Sequence, residues 1–179
     1  MKKLALFFIL MFLTLDARAA GKSICEQFEG YPEIKVFLGN TFNKSSNPVV
    51  DTEVFAFGFR DALEGRKAIK FVPVVLAARA DIIIEATIKD FVFVKEAAPL
   101  PLGALSLAAD VADPKCSIRL IVAYKIIDTK SGELLGKYDN FETNTRESRK
   151  DMTEKAAFKY AAKDNANKFL LAVFYKPRN

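Results

Sequence analysis

Two stretches of the chain, 81–94 (DIIIEATIKDFVFV) and 116–128 (CSIRLIVAYKIID), alternate with a period of two and therefore predict strands. In the first, Ile82, Ile84, Ala86, Ile88, Asp90, Val92 and Val94 share one parity. Ile83, Glu85, Thr87, Lys89 and Phe91 take the other, more polar one. In the second, Ile118, Leu120, Val122, Tyr124 and Ile126 line one face, while Arg119 and Lys125 mark its reverse. One dry face and one half-wet face is the pattern of an antiparallel sheet covered on a single side.

The remaining elements fit around that sheet. Residues 33–38 (EIKVFL) alternate and read as a first strand, followed by a turn-rich break over 39–46. Asn47-Pro48 has the form of a helix start, with Asn as cap and Pro in the first turn, and Gly65 closes a helix over 48–64. Val50, Val54, Phe57 and Asp61 fall on one row of that helix, and Phe55, Ala62 and Leu63 widen its apolar face. Residues 70–75 form a strand that Pro73 restricts to an edge or to the strand's end. Asp128-Thr129-Lys130-Ser131-Gly132 is a hairpin turn, and 133–143 returns as a partner strand with Gly136 marking a bulge. A long helix starts at a cap provided by Asp151 or Thr153 and runs to about residue 174, with Phe158, Ala162, Phe169 and Val173 as its core row. The order strand, helix, four strands, helix predicts an α+β domain, with two helices packed on one face of a mostly antiparallel sheet.

The first 19 residues read as a secretory signal peptide. Lys2 and Lys3 precede an apolar run over 4–15, and Ala17-Arg18-Ala19 places small residues where a signal peptidase cuts. The run is shorter than the roughly 20 residues that span a bilayer. The expected mature chain begins near Ala20, with an N-terminal arm over 20–32 and a single domain over 33–179. Lys22-Ser23-Ile24 stand before Cys25, where a lipid-anchor signal places small residues, so the mature protein is expected to be soluble and periplasmic. Residues 1–19 hold Lys2, Lys3, Arg18 and Asp16, and their removal lowers the net charge from +5 to +3. Both signs are interleaved along the rest of the chain, which argues against nucleic acid as a partner.

The chain has no histidine. That excludes Ser-His-Asp and Cys-His catalysis and any histidine-ligated metal site. The carboxylate pairs, such as Glu133 with Asp139 or Asp110 with Asp113, read as turn and cap residues, and no serine lies in a nucleophile motif. No cofactor or metal is expected, and the protein reads as non-enzymatic. Two cysteines remain after export, Cys25 and Cys116. In an oxidising compartment they either pair, closing a loop of about 90 residues worth roughly 4 kcal/mol, or stay as two thiols.

Two segments have the composition of contact surfaces. Residues 96–115 (EAAPLPLGALSLAADVADPK) interrupt the middle hairpin with about twenty residues where two to five are usual. Leu100, Leu102, Leu105 and Leu107 make this insertion an apolar tongue for a partner protein or a lipid surface, or else a flap folded onto its own sheet. Lys155, Lys159 and Lys163 stand four apart on the last helix, preceded by Arg146, Arg149 and Lys150. They form either a solvated face or a contact for phosphate-bearing lipid or lipopolysaccharide.

Several segments resemble a group of bacterial envelope-assembly domains. They are Asn40-x-Phe42, Asp61-Ala62-Leu63, Ala80-Asp81-Ile82-Ile83-Ile84-Glu85-Ala86-Thr87-Ile88, and the strand and turn from Tyr124 through Asp128-Thr129-Lys130-Ser131-Gly132-Glu133 to Leu135. The pattern is similar to the lipopolysaccharide-assembly lipoprotein (LptE-like) group and to TolB amino-terminal-like and curli-secretion CsgG-like domains. The resemblance implies a non-enzymatic accessory that binds a larger outer-envelope complex or, alternatively, a lipid or lipopolysaccharide. Those relatives are commonly lipid-anchored at the outer membrane.

Overall fold

The computed structural model describes residues 24–28, 30–65, 70–95, 115–147 and 151–175. The signal segment 1–19 and the four leucines of the apolar insertion lie outside the described residues. The elements are α1 (Ile24–Gln27), β1 (Ile34–Asn43), α2 (Thr52–Glu64), β2 (Phe71–Pro73), a 3-10 turn (Ala77–Arg79), β3 (Ile82–Lys95), β4 (Cys116–Asp128), β5 (Leu134–Glu147) and α3 (Glu154–Phe174).

The five strands form one open sheet in the order β2-β1-β3-β4-β5, and α2 and α3 lie side by side on one face. The α+β class and the order of elements from β1 to α3 are as expected, and the short helix α1 stands in the segment expected as an N-terminal arm. Strands β3, β4 and β5 form an antiparallel meander, whereas β1 pairs in parallel with both β2 and β3, so the sheet is mixed. The parallel pairing follows from connectivity, because α2 carries the chain back to the starting level of β1 before β2 begins. Pro73 ends the three-residue edge strand β2, where its missing N–H costs no central ladder bond.

Three local expectations are revised. β1 does not stop at residue 38: it slips register between Leu38 and Thr41 and pairs on to Asn43 against Ile88. The helix starts later than Pro48, because Asp51 is the cap and accepts hydrogen bonds from the Glu53 and Val54 amides. Asn47 instead receives the Val49 amide at 2.9 Å and donates to Glu154 at 2.8 Å, tying this loop to the start of α3. In β3 a bulge between Ile88 and Asp90 reverses the parity. Phe91 is thereby buried against Phe158, and Asp90 meets Arg119.

Tyr124 of β4 sits at the centre of the core. Its ring stacks on Phe169 of α3 at 3.8 Å and lies within about 6.5 Å of Phe55, Phe59 and Phe141. The predicted core row of α3, Phe158, Ala162, Phe169 and Val173, is buried throughout. Aromatic packing around Tyr124 occupies the centre of the layer between sheet and helices.

Candidate functional site: the outer groove of the helix pair

The two helices approach closely because residue 58 is glycine. A Cβ there would lie 3.0 Å from the Lys163 amide nitrogen and 3.1 Å from the Ala162 Cβ, so a methyl would already force α3 to give by a few tenths of an ångström and a larger side chain by more. On the solvent side of this contact the helices leave a groove of about 430 Å3, lined by Phe57, Gly58 and Asp61 of α2 and by Ala156, Lys159, Tyr160 and Lys163 of α3.

Phe57 is the apolar wall of the groove. The row Val50–Val54–Phe57–Asp61 suggested a core position, but α2 buries Phe55, Gly58, Phe59, Ala62 and Leu63. That face turns Phe57 outward, leaving it 62% exposed. The Arg60 guanidinium lies over its ring, 5.9 Å from the centroid, within cation–π range.

Lys155, Lys159 and Lys163 are all exposed along one side of α3, as their spacing predicts. Lys163 is engaged with Asp61 of α2 at 3.5 Å. Among the described residues, Lys155 and Lys159 form no ion pair. Arg146 does not extend this row. Thr145 turns toward the helices and bonds Asp164 at 2.9 Å, so the next residue of β5 points to the opposite face of the sheet. Arg149 and Lys150 lie outside the described residues.

Asp139, expected in a turn or cap, lies instead within β5, while the carboxylate of the Asp128 turn and those at the strand ends and faces are tied into the fold. Asp128 accepts hydrogen bonds from the Lys130 and Ser131 amides at 2.8 and 2.7 Å and from the Ser131 hydroxyl at 3.0 Å. The Ser131 amide and hydroxyl hold its carboxyl below the usual carboxylate range. Asp81 receives the Lys35 amide at 2.8 Å, Asp139 pairs with Lys137, and Glu85 faces Lys125 across β3 and β4. Asp110 and Asp113 lie outside the described residues. Among the described residues no cluster of three or more His, Cys, Asp or Glu side chains is placed to hold a metal ion. No helix among them is long and apolar enough to cross a membrane.

The Cys25–Cys116 bridge is not supported, and the described residues contain no disulfide. Cys116 is buried at the start of β4, opposite Glu147. The backbone of Cys25 lies in α1, whose Ile24 packs on Gly136: a Cβ on Gly136 would fall 2.8 Å from Ile24 Cδ1. Gly136 pairs with Ile126, ten positions along β4 from Cys116 and so on the order of 30 Å away. A disulfide requires Cα atoms about 6 Å apart.

No protein-family model matches the chain, and no curated protein resembles it significantly in sequence. Several solved structures align loosely with it. PelC from Paraburkholderia phytofirmans, a dodecamer, aligns over 78% of this chain and 87% of its own, with 14% identity and a TM-score of 0.39. Lipoprotein GNA1162 from Neisseria meningitidis aligns over 76% of this chain and 97% of its own, with 8% identity and a TM-score of 0.37. Protein XCC0632 from Xanthomonas campestris, assigned to the DUF330 family, aligns over 79% of this chain and 82% of its own, with 10% identity and a TM-score of 0.40. Alignments this loose carry neither an assembly state nor a lipid anchor over to this chain.

Proposed function

We propose that this protein is an exported, non-enzymatic accessory of the bacterial envelope that acts by binding and stabilising an outer-envelope assembly or transport complex. The observation that carries the reading is the outward face of the helix pair. It joins an exposed aromatic ring, an arginine within cation–π range of it and a lysine row of which Lys159 and Lys163 line a concave seat. An exposed aromatic ring beside an arginine is the pairing enriched in recognition surfaces. The export segment at 1–19 supplies the compartment. The use of Asp51, Asp81 and Asp128 as caps and turn ties supports the non-enzymatic part of the reading. The leucine-rich insertion at 96–115 is a second contact element in this proposal.

The test is made in intact cells. The mature chain is expected in the periplasmic fraction with a mass lacking residues 1–19, and lysine-directed cross-linking is expected to join it covalently to an envelope protein. Changing Leu100→Ser and Leu102→Ser should lower the yield of that complex. Retention of residues 1–19, recovery in the cytoplasm, or absence of any envelope adduct would count against the proposal.

A further inference from the structure

We infer that the α2–α3 groove is a docking seat for an acidic segment of a partner protein, with one apolar side chain of that segment seated against Phe57 and its carboxylates on Lys155 and Lys159. This deepens the envelope-accessory reading and rests on it. Three observations select the occupant.

The first is charge. Lys155 and Lys159 are exposed and form no ion pair among the described residues, whereas Lys163 is held by Asp61. The two available ammonium groups stand one helical turn apart, a rise of about 6 Å. That spacing matches carboxylates four residues apart on a helix or two apart on a strand.

The second is shape. The seat is concave, about 430 Å3, and walled by Phe57 and Tyr160. Such a volume accepts one protruding side chain with its neighbours.

The third is the Arg60–Phe57 pair. Inserting the Phe57 ring into hydrocarbon would either carry the Arg60 guanidinium toward the membrane or forfeit this contact. At a protein interface, aromatic rings and arginine are the residues most enriched at the energetic centre. A lipid surface is therefore the disfavoured occupant, although the lysine row alone would suit it.

The experiment places a photo-crosslinking benzoylphenylalanine at position 57 of the full-length exported protein in intact cells and maps adducts by peptide mass spectrometry. Because Phe57 is exposed, the replacement leaves the core untouched, which a thermal melt confirms. The expected adduct is a protein segment with an apolar residue flanked by Asp or Glu. Its yield should fall about tenfold with Lys155→Glu and Lys159→Glu and return when the partner's acids are changed to Lys. Several results would overturn the inference: a lipid adduct, an adduct with a second copy of this chain, a segment without acids, a yield indifferent to charge reversal, or no adduct at all. Lysine cross-linking to an envelope protein that persists while the position-57 adduct is absent would sink the groove and leave the accessory role standing. Failure of export or of all capture would remove both.

Discussion

The Tyr124 hydroxyl donates a hydrogen bond to Asn165 Oδ1 across 2.7 Å in the fully buried centre of the protein. The Nδ2 of the same amide reaches the Phe141 carbonyl at 3.2 Å, Thr143 Oγ1 at 3.2 Å and the Leu120 carbonyl at 3.4 Å. These groups flank the register shift between Val122 and Tyr124 on the β4–β5 ladder. Asn165 thus links α3 to the point where the meander departs from regular pairing, and it pairs with polar atoms at the buried centre.

Replacing Asn165 by Leu leaves the Tyr124 hydroxyl buried without its acceptor. The expected loss is about 3 kcal/mol by urea denaturation, against about 1 kcal/mol for Tyr124→Phe. The double variant should lie closer to Asn165→Leu than to the sum of the two, because the second change removes a group the first has orphaned. Strictly additive losses would show that the two side chains are not coupled.

Alkaline pH should weaken the fold through the same tyrosine. Burial pushes the Tyr124 hydroxyl well above its ordinary value of 10.0. In the unfolded chain this group ionises near 10.0, while in the folded chain it stays neutral. Its contribution is therefore fully present below that pH and is lost as the pH rises beyond it. Urea midpoints measured between about pH 9 and about pH 11 should fall for the wild type and fall less for Tyr124→Phe. Parallel curves would assign the alkaline loss elsewhere, with the half-buried Tyr138, also raised by burial, as the next group to change.

Gly58→Val should separate the helices. Its Cβ would meet the Lys163 backbone and the Ala162 side chain inside ordinary contact distance, and neither can swing aside. Overpacking of this kind costs about 1–3 kcal/mol, more than the roughly 1 kcal/mol that replacing a mid-helix glycine returns at best. A thermal melt checks the sign, and unchanged or raised stability would mean that the helices can re-space.

The two cysteines should not be joined to each other. Peptide maps of the denatured protein with and without reductant are expected to lack a peptide linking residues 25 and 116. Recovery of that cross-linked peptide would require α1 to leave its place on Gly136.

Much of the fold was legible because burial writes a period into the chain. β4 was bounded correctly at 116–128 by its alternation, and α3 was bounded by its buried row and by a cap at Asp151 or Thr153, of which the structure uses Thr153. The Asp128 turn was legible from local chemistry alone, since its hydrogen bonds are made within three residues. The groove was half legible. The lysine spacing places Lys155, Lys159 and Lys163 on one face, but the row Val50–Val54–Phe57–Asp61 sets Phe57 beside the apolar face of α2. The available signal was that Phe55, Phe59, Ala62 and Leu63 form a continuous row that excludes residue 57, together with an unexplained glycine in mid-helix at 58.

By itself, then, the sequence determined the α+β class, the order of the elements from β1 to α3 and the wet and dry sides of β4 and of β3 up to its bulge. Each of these follows from local periodicity and short-range capping. The tertiary structure decided the parallel pairing of β1, the parity reversal at Asp90, the burial of Asn165, the outward turn of Phe57 and the separation of the two cysteines. Those depend on contacts between residues far apart in the chain. A bulge, a helix–helix approach at Gly58 or a hydrogen bond from Tyr124 to Asn165 has no energy until the partner segment is in place.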